Sequence, residues 1–336
     1  MYADKPKLHQ RERNRCPGDL PTLVLDVTTK CNMRCEHCYA FLDVPAAPLT
    51  VVKDALDQAY ELGVTHYVLM GGEPIAEPKR LEFVLTHCHP DESYINITTN
   101  GWAMTRKRIR WLKERQVDKL AVSLDSGIAA EHDAIRRPGS FERTTRMVGE
   151  ALEEGLIVSL DVVVTHESLY SEGFRKAYEL AKSLGVRLDL QIAEPVGNWE
   201  GREELLITPE DAAFIRQLRA ESPPTKLGDP TIRRDIFRND GCDHCPAGTG
   251  FLHITAHGDV LPCNFLQFSL GNIADRPLKQ MRDDLLTHPL FASTSHAMCL
   301  PGEDEDFIAK YLTPHVGEPK PLDAYEVFQL RRTHSA

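Results

Sequence analysis

Thr28-Thr29-Lys30-Cys31-Asn32-Met33-Arg34-Cys35-Glu36-His37-Cys38-Tyr39 follows directly on the β-rich run Leu23-Val24-Leu25-Asp26-Val27. Cys31, Cys35 and Cys38, in C-x3-C-x2-C spacing, therefore sit on a loop at a strand end. A tetrahedral zinc or a fully protein-ligated cluster needs four ligands, and this loop supplies three. Three thiolates on one tight loop hold a cubane [4Fe–4S] cluster and leave one iron open to an outside ligand.

Working outward, short β-rich runs alternate with segments of helical period. The pattern predicts strands at 22–27, 66–70, 94–98, 119–124, 157–164 and 186–191. Helices are expected near 50–62, 78–87, 105–115, 140–154 and 171–184, with a closing helix at 209–221. Repeated βαβ units with right-handed crossovers imply an α/β fold, a parallel sheet curled into a partial (β/α)6 TIM-type barrel. In such barrels functional groups gather at the strand C-terminal ends. The chain obeys that rule strand by strand: the cysteine loop, Met70-Gly71-Gly72-Glu73-Pro74, Thr99-Asn100-Gly101, Ser123-Leu124-Asp125-Ser126, Thr165-His166, and Gln191 with Glu194-Pro195.

The cysteine spacing at the end of strand 1, followed by Gly71-Gly72-Glu73-Pro74, resembles the radical S-adenosylmethionine (SAM) superfamily. There the open iron binds SAM, and the cluster cleaves it reductively to a 5′-deoxyadenosyl radical that attacks unactivated C–H bonds. The resemblance covers about residues 22–300 and implies a cofactor-binding set of His37, Tyr39, Gly71, Gly72, Glu73, Pro74, Asn100, Ser123, Asp125, Arg136 and Gln191. Gly71 to Glu73 correspond to the motif that holds the methionine end of SAM, and Ser123 and Asp125 to residues meeting its ribose and carboxylate. His37 takes a position usually filled by an aromatic residue near the adenine. Arg136 fits an approach to the SAM carboxylate and, equally, an exposed surface position.

A breaker-rich stretch, Pro223-Pro224 to Asp229-Pro230, precedes a second cysteine group: Cys242, Cys245, Cys263 and Cys299. Short strands at 251–255 and 259–262 and a helix near 278–286 give this segment too little core, so metal ligation is a natural staple. Cys245-x12-Gly258-x4-Cys263 resembles the opening of the SPASM and twitch extensions of radical SAM proteins, as do Pro262-Cys263 and Leu270-Gly271-Asn272-Ile273. The further cysteine-rich run of a full SPASM extension is missing, which implies one auxiliary [4Fe–4S] cluster of twitch type. Four thiolates also suit a structural zinc. With three protein ligands the auxiliary cluster would keep an open iron; with four it would serve electron transfer.

The expected organisation is a leader at 1–20, a core barrel at 21–222, a linker at 223–240, the cluster extension at 241–300 and a tail at 301–336. The leader's Lys5, Lys7, Arg11, Arg13 and Arg15 read as a solvated basic segment. No fused leader-peptide domain or corrin-binding domain is expected ahead of strand 1. His87-Cys88-His89 reads as a helix end, because adjacent positions point in different directions.

Net charge is −11, from 39 basic and 50 acidic residues, which argues against a phosphate-tracking nucleic-acid binder. Mean hydropathy is −0.33, and no apolar run reaches the ~20 residues of a membrane span. Nine cysteines without a secretory signal point to the cytoplasm and away from a disulfide framework. The expected activity is that of a radical SAM oxidoreductase or maturase acting on a peptide or small molecule, fed by a flavodoxin- or ferredoxin-type electron donor. The alternatives are a molybdenum-cofactor GTP-cyclase-like enzyme and, in another class, a non-enzymatic iron–sulfur electron carrier or metal-stabilised scaffold. Glu194, Gln191, His166 and Asn198 are the candidates to touch substrate.

Overall fold

The computed structural model describes residues 5–234, 245–292 and 299–332. In chain order its main elements are α1 (Pro6–Arg13), β1 (Thr22–Thr28), α2 (Leu49–Glu61), β2 (His66–Gly71), α3 (Pro78–His87), β3 (Tyr94–Thr99), α4 (Arg106–Glu114), β4 (Lys119–Ser123), α5 (Ala129–Ile135) and α6 (Ser140–Glu153). Then come β5 (Ile157–Val164), α7 (Glu172–Leu184), β6 (Arg187–Ile192), α8 (Pro209–Glu221), β7 (Ile232–Arg234), β8 (Phe251–Ile254), β9 (Val260–Leu261) and α9 (Leu278–Leu285). All six predicted barrel strands are present within two residues of their expected ends. The short helix α5 escaped the sequence reading, since seven residues carry too few apolar positions to show a period.

One sheet holds these nine strands, in the order β7-β6-β5-β4-β3-β2-β1-β8-β9, parallel except for β9, and Phe268–Ser269 pairs separately with Leu322–Asp323. In a flat sheet β1 and β6 would lie about 24 Å apart, five strand spacings. Yet Asn198, after β6, bonds the backbone of Cys35 and Cys38, after β1. Met70, Thr98, Ser123, Asp161 and Gln191 of β2 to β6 also line one pocket with the loop after β1, so the sheet curls, as the barrel reading expects.

Strand alternation assigns the two faces. Leu23, Leu25, Tyr67, Leu69, Ile95, Ile97, Leu120, Val122, Leu188 and Leu190 share one core with Leu56, Leu81, Leu85, Ile109, Leu112, Met147 and Ala177 of the helices. The opposite face is polar: Lys119 Nζ lies 2.9 Å from Asp189 Oδ2 and Arg187 Nε 3.2 Å from Asp189 Oδ1, with Lys119 and Asp189 fully enclosed.

Three stretches are more integrated than their composition suggests. The leader is only partly solvated: Lys7, Arg13 and Arg15 are exposed, but Leu8 is fully buried, and Lys5 Nζ is sealed against Asp118 Oδ2 (2.5 Å), Ser93 O (2.8 Å) and Gln116 O (2.9 Å). Arg11 stacks on Tyr60, 3.9 Å from the ring centroid. The stretch expected as a linker contributes β7 to the β6 edge. The extension contributes β8 to the β1 edge, in register Thr22↔Phe251 to Leu25↔Ile254. In the tail, Phe307, Tyr311 and Phe328 pack with Phe268 and Phe291 in one aromatic cluster. Cys88 caps α3 with its thiol buried, while His87 stacks on Phe83 and His89 on Tyr60, so the three do not converge. Among the described residues no helix is long and apolar enough to cross a membrane.

The buried Lys5–Asp118 pair yields a stability test. Lys5→Ala strands the Asp118 carboxylate, whose only other bond among the described residues is from Ile95 N–H (2.8 Å), and should cost about 3–5 kcal/mol in denaturant unfolding. Adding Asp118→Asn should recover part of that loss; full additivity would show the two groups uncoupled.

Candidate active site

The cysteine loop is bolted to the turn after β2 by two short backbone bonds. Gly72 N–H donates to Thr28 O and Glu73 N–H to Lys30 O, both at 2.8 Å. A Cβ at Gly72 would lie 2.2 Å from Lys30 O, and Gly71 adopts φ +120° against Thr28 O. The double glycine is thus demanded by the chain's own cysteine loop, whatever ligand lies beyond. From the other side, Asn198 N–H donates to Cys38 O (3.0 Å) and its side-chain amide to Cys35 O (3.0 Å). Gly197 passes so close to Tyr39 that a Cβ would come within 2.4 Å of its Cα.

Cys31, Cys35 and Cys38 line one pocket together with His37, Tyr39, Gly71, Gly72, Glu73, Asn100, Ser123, Arg136 and Gln191. Of the predicted cofactor set, Asp125 and Pro74 lie behind this lining rather than in it. Asp125 grips Arg136 through two contacts, the second from Nη2 to Oδ1 at 3.1 Å. Burial alone would raise the Asp125 carboxyl; the Arg136 guanidinium reverses this and holds it down at about 2. Arg136 is buried, which removes the surface alternative, and its Nη1 stands 3.7 Å from Cys35 Sγ. Pro74 opens the short turn that brings Ile75 N–H onto Glu73.

Glu73 accepts from Thr99 Oγ1 (2.8 Å), Asn100 N–H (2.8 Å) and Ile75 N–H (3.3 Å), so it ties the end of β2 to the end of β3. Burial nevertheless pushes its pKa up. Asn100 Nδ2 donates to Asn32 Oδ1 (2.9 Å) on the cysteine loop. His37 packs against Trp199 at 5.5 Å, and burial lowers its pKa to about 4, leaving a neutral ring.

The donor set fits an iron–sulfur cluster. Burial pushes the Cys31 thiol up to about 11 and raises Cys35 and Cys38, so bare thiols here stay protonated and a metal centre must displace those protons. Among the described residues no three His, Cys, Asp or Glu groups are drawn together tightly enough for a single ion. Thiolates on separate irons of a cubane stand farther apart than the ligands of a single ion, and the three cysteines open onto one pocket.

The extension closes the pocket. Asn264 and Phe265, next to Cys263, line it. Asn264 Nδ2 donates to Tyr39 OH (3.1 Å), Gln267 Nε2 to Tyr39 O (2.9 Å), and Phe265 meets the Tyr39 ring edge-on at 4.7 Å. Gly258, at φ +102°, forms the turn between β8 and β9, and Ile273 N–H bonds its carbonyl at 2.8 Å. Cys299 Sγ lies 3.3 Å from Glu194 Oε1. Cys242 falls outside the described residues.

The four residues expected to touch substrate separate. Gln191 lines the pocket, Asn198 clamps the cysteine loop, and Glu194 faces Cys299. His166 leaves the site altogether, bound through Nδ1 to Asp211 Oδ2 of α8 at 2.7 Å. Sequence reasoning missed Asp161, Thr98, Asn264 and Phe265. The signal for Asp161 was there: a lone charge in the apolar strand Leu160-Asp161-Val162-Val163-Val164 marks the inward face of a barrel. Burial, with the Asp189 charge facing it in register across β5 and β6, pushes the Asp161 carboxyl well up; Lys119 opposes this. Burial would likewise raise Asp189, but Lys119 and Arg187 keep it ionised.

Two predictions follow from this geometry. Gly72→Ala should displace the cysteine loop and lower iron bound per chain by about four, whereas Gly149→Ala on α6, where a Cβ meets nothing within 4 Å, should keep full iron. Because Asp161 holds its proton longer folded than unfolded, it favours the fold at low pH and loses that contribution as pH rises above its ordinary 3.8. The Tm of wild type minus that of Asp161→Asn should therefore fall between mildly acidic and mildly alkaline buffer; a constant difference would contradict the assignment.

The comparisons with known proteins agree with this site. The radical SAM superfamily model matches residues 25–181, and an iron–sulfur cluster-binding domain model (SPASM) matches residues 245–299. The AdoMet-dependent heme synthase of Methanosarcina barkeri is 28% identical, over 76% of this chain and 80% of its own. The PqqA peptide cyclase of Methylocella silvestris is 30% identical, over 77% of this chain and 73% of its own. Among solved structures, Streptococcus suis SuiB bound to precursor peptide SuiA shares the fold, with a TM-score of 0.63 at 18% identity, over 85% of this chain and 68% of that one. With its cysteine loop, double-glycine turn and cluster-binding extension all in place, the chain belongs to the radical SAM superfamily.

Proposed function

We propose that Cys31, Cys35 and Cys38 hold the SAM-binding [4Fe–4S] cluster of this enzyme, and that Cys245, Cys263 and Cys299 hold a single auxiliary cluster, with Cys242 as a fourth ligand. When bound, the first cluster and SAM supply a 5′-deoxyadenosyl radical on one-electron reduction. The chain's own residues do the placing. Gly71 and Gly72 set the methionine end, Ser123 and the Asp125–Arg136 pair face the ribose and carboxylate, and neutral His37 and Tyr39 wall the adenine side. In this reading the molecule divides into a core of about residues 21–222 and a cluster extension of about 241–300.

The observation that carries the reading is that Asn264 and Phe265, beside one auxiliary ligand, line the same pocket as the three loop cysteines. A substrate in that pocket touches both cluster-bearing segments. Hydrogen abstraction on the barrel side followed by electron loss toward Cys263 gives a two-electron oxidation or a new bond. Asp161, on the pocket wall, is placed to take the accompanying proton.

We read the substrate as a peptide side chain, as the names of the cyclase relative and of the SuiB complex support. A small molecule is the second reading, because the heme synthase match extends over the larger share of its relative. The electron donor is read as a flavodoxin- or ferredoxin-type carrier.

Anaerobic reconstitution should give about eight irons per chain. Replacing Cys31, Cys35 and Cys38 by Ala should remove about half of that iron and abolish 5′-deoxyadenosine. Replacing Cys245 and Cys263 should remove the other half while reductive SAM cleavage persists. Deuterium transfer from a labelled peptide or small molecule into 5′-deoxyadenosine identifies the substrate class.

A further inference from the structure

On the outer side of the cysteine loop, away from the pocket, two arginines share one indole. The Arg137 guanidinium carbon lies 4.3 Å from the Trp102 ring centroid and that of Arg143 4.0 Å. Trp102 follows β3 and is half-buried; both arginines are exposed. Arg137 Nη1 also donates to Asn32 O (3.2 Å), the carbonyl immediately after Cys31. This patch therefore reaches within one residue of a proposed cluster ligand.

Its charge is uncompensated. Other cations around the loop have carboxylate partners: Lys30 with Glu77 at 2.7 Å, Arg34 with Asp43, and Arg136 with Asp125. Arg137 and Arg143 have no ion-pair partner among the described residues. The chain as a whole carries −11, so two free guanidiniums brought to one ring run against its general field. An exposed cation–π contact gives about 0.5–1 kcal/mol, and two like charges no more than about 8 Å apart (4.3 Å and 4.0 Å from one centroid) lose at least about half a kcal/mol in water. Stability gains little from the pair. Its consequence is a preorganised pair of forked donors aimed at carboxylates.

We propose that Trp102, Arg137 and Arg143 form the docking surface for an acidic one-electron carrier protein of the flavodoxin type. This rests on the electron-donor reading above and locates it. Charge complementarity between an acidic carrier and a local basic patch on an acidic enzyme sets orientation and encounter rate. The opposite side of the loop is closed by Tyr39, Asn198, Asn264 and Gln267, whereas the Asn32 side carries the exposed Arg137. One electron leaves the anionic flavin hydroquinone, giving the neutral semiquinone, and is taken up at the Cys31/Cys35/Cys38 centre. With SAM bound, that electron is consumed in breaking one sulfonium C–S bond.

The test compares wild type, Arg143→Glu and Arg143→Lys in the iron-loaded protein. Among the described residues the Arg143 side chain stacks on the indole and makes no hydrogen bond or ion pair, so iron content and dithionite-driven 5′-deoxyadenosine formation should match wild type in both variants. Oxidised flavodoxin should bind wild type in calorimetry, more weakly as salt approaches about 0.3 M. Arg143→Glu should weaken that binding and the flavodoxin-driven rate roughly tenfold, with Arg143→Lys, which keeps the charge but not the fork, recovering part of both. Unchanged flavodoxin binding, salt-independent binding, or an equal loss with dithionite and flavodoxin would each overturn the proposal. If wild type forms no 5′-deoxyadenosine even with dithionite, the underlying enzyme reading fails, and the calorimetric arm still decides the docking claim.

Discussion

The contact on which the site depends is the approach of Gly71 and Gly72 to the backbone of Thr28 and Lys30. Two 2.8 Å hydrogen bonds cross a gap too narrow for any Cβ. They fix where the cysteine loop leaves β1, and hence where three thiols point. Everything else braces that junction: Glu73 carries it to β3, Asn198 pins the loop from β6, and Gln267 and Asn264 hold Tyr39 from the extension. Because the sheet is curled, strands at opposite ends of the order can press on the same twelve-residue loop.

The chemistry of the site follows from its burial. Desolvation keeps the cysteines protonated and His37 neutral, while the Asp125–Arg136 pair stays ionised because each partner compensates the other. A neutral wall, a fixed ion pair and a protonatable Asp161 give the pocket three different electrostatic characters on three sides. In the proposed function, that division would let a cationic cofactor and a substrate share one lumen without competing for the same partners.

Much of this was legible in the sequence, for identifiable reasons. The strands were readable because each carries apolar residues at alternate positions and ends in a glycine or polar cluster. The cysteine loop and Gly71-Gly72-Glu73 were readable because their spacing is local. What escaped depends on long-range placement. Nothing in Lys5 announces a buried partner 113 residues away at Asp118, so the leader looked solvated. Arg136 could not be told from a surface arginine until Asp125 and Cys35 enclosed it. His166 sits at a strand end like the residues that line the pocket, but Asp211 holds it there instead. Phe265 and Asn264 reach the pocket only because β8 pairs with β1, a register that local patterning does not encode.

The central claim is that the loop cysteines hold a cluster with one iron open to SAM while the second cysteine group holds another without that opening toward SAM. Electron paramagnetic resonance of the reduced, reconstituted protein with and without SAM tests it most directly. The account predicts two overlapping cluster signals, of which SAM shifts only the one abolished by replacing Cys31, Cys35 and Cys38. A spectrum that SAM leaves unchanged, or a SAM-sensitive signal that survives loss of those three cysteines, would contradict it.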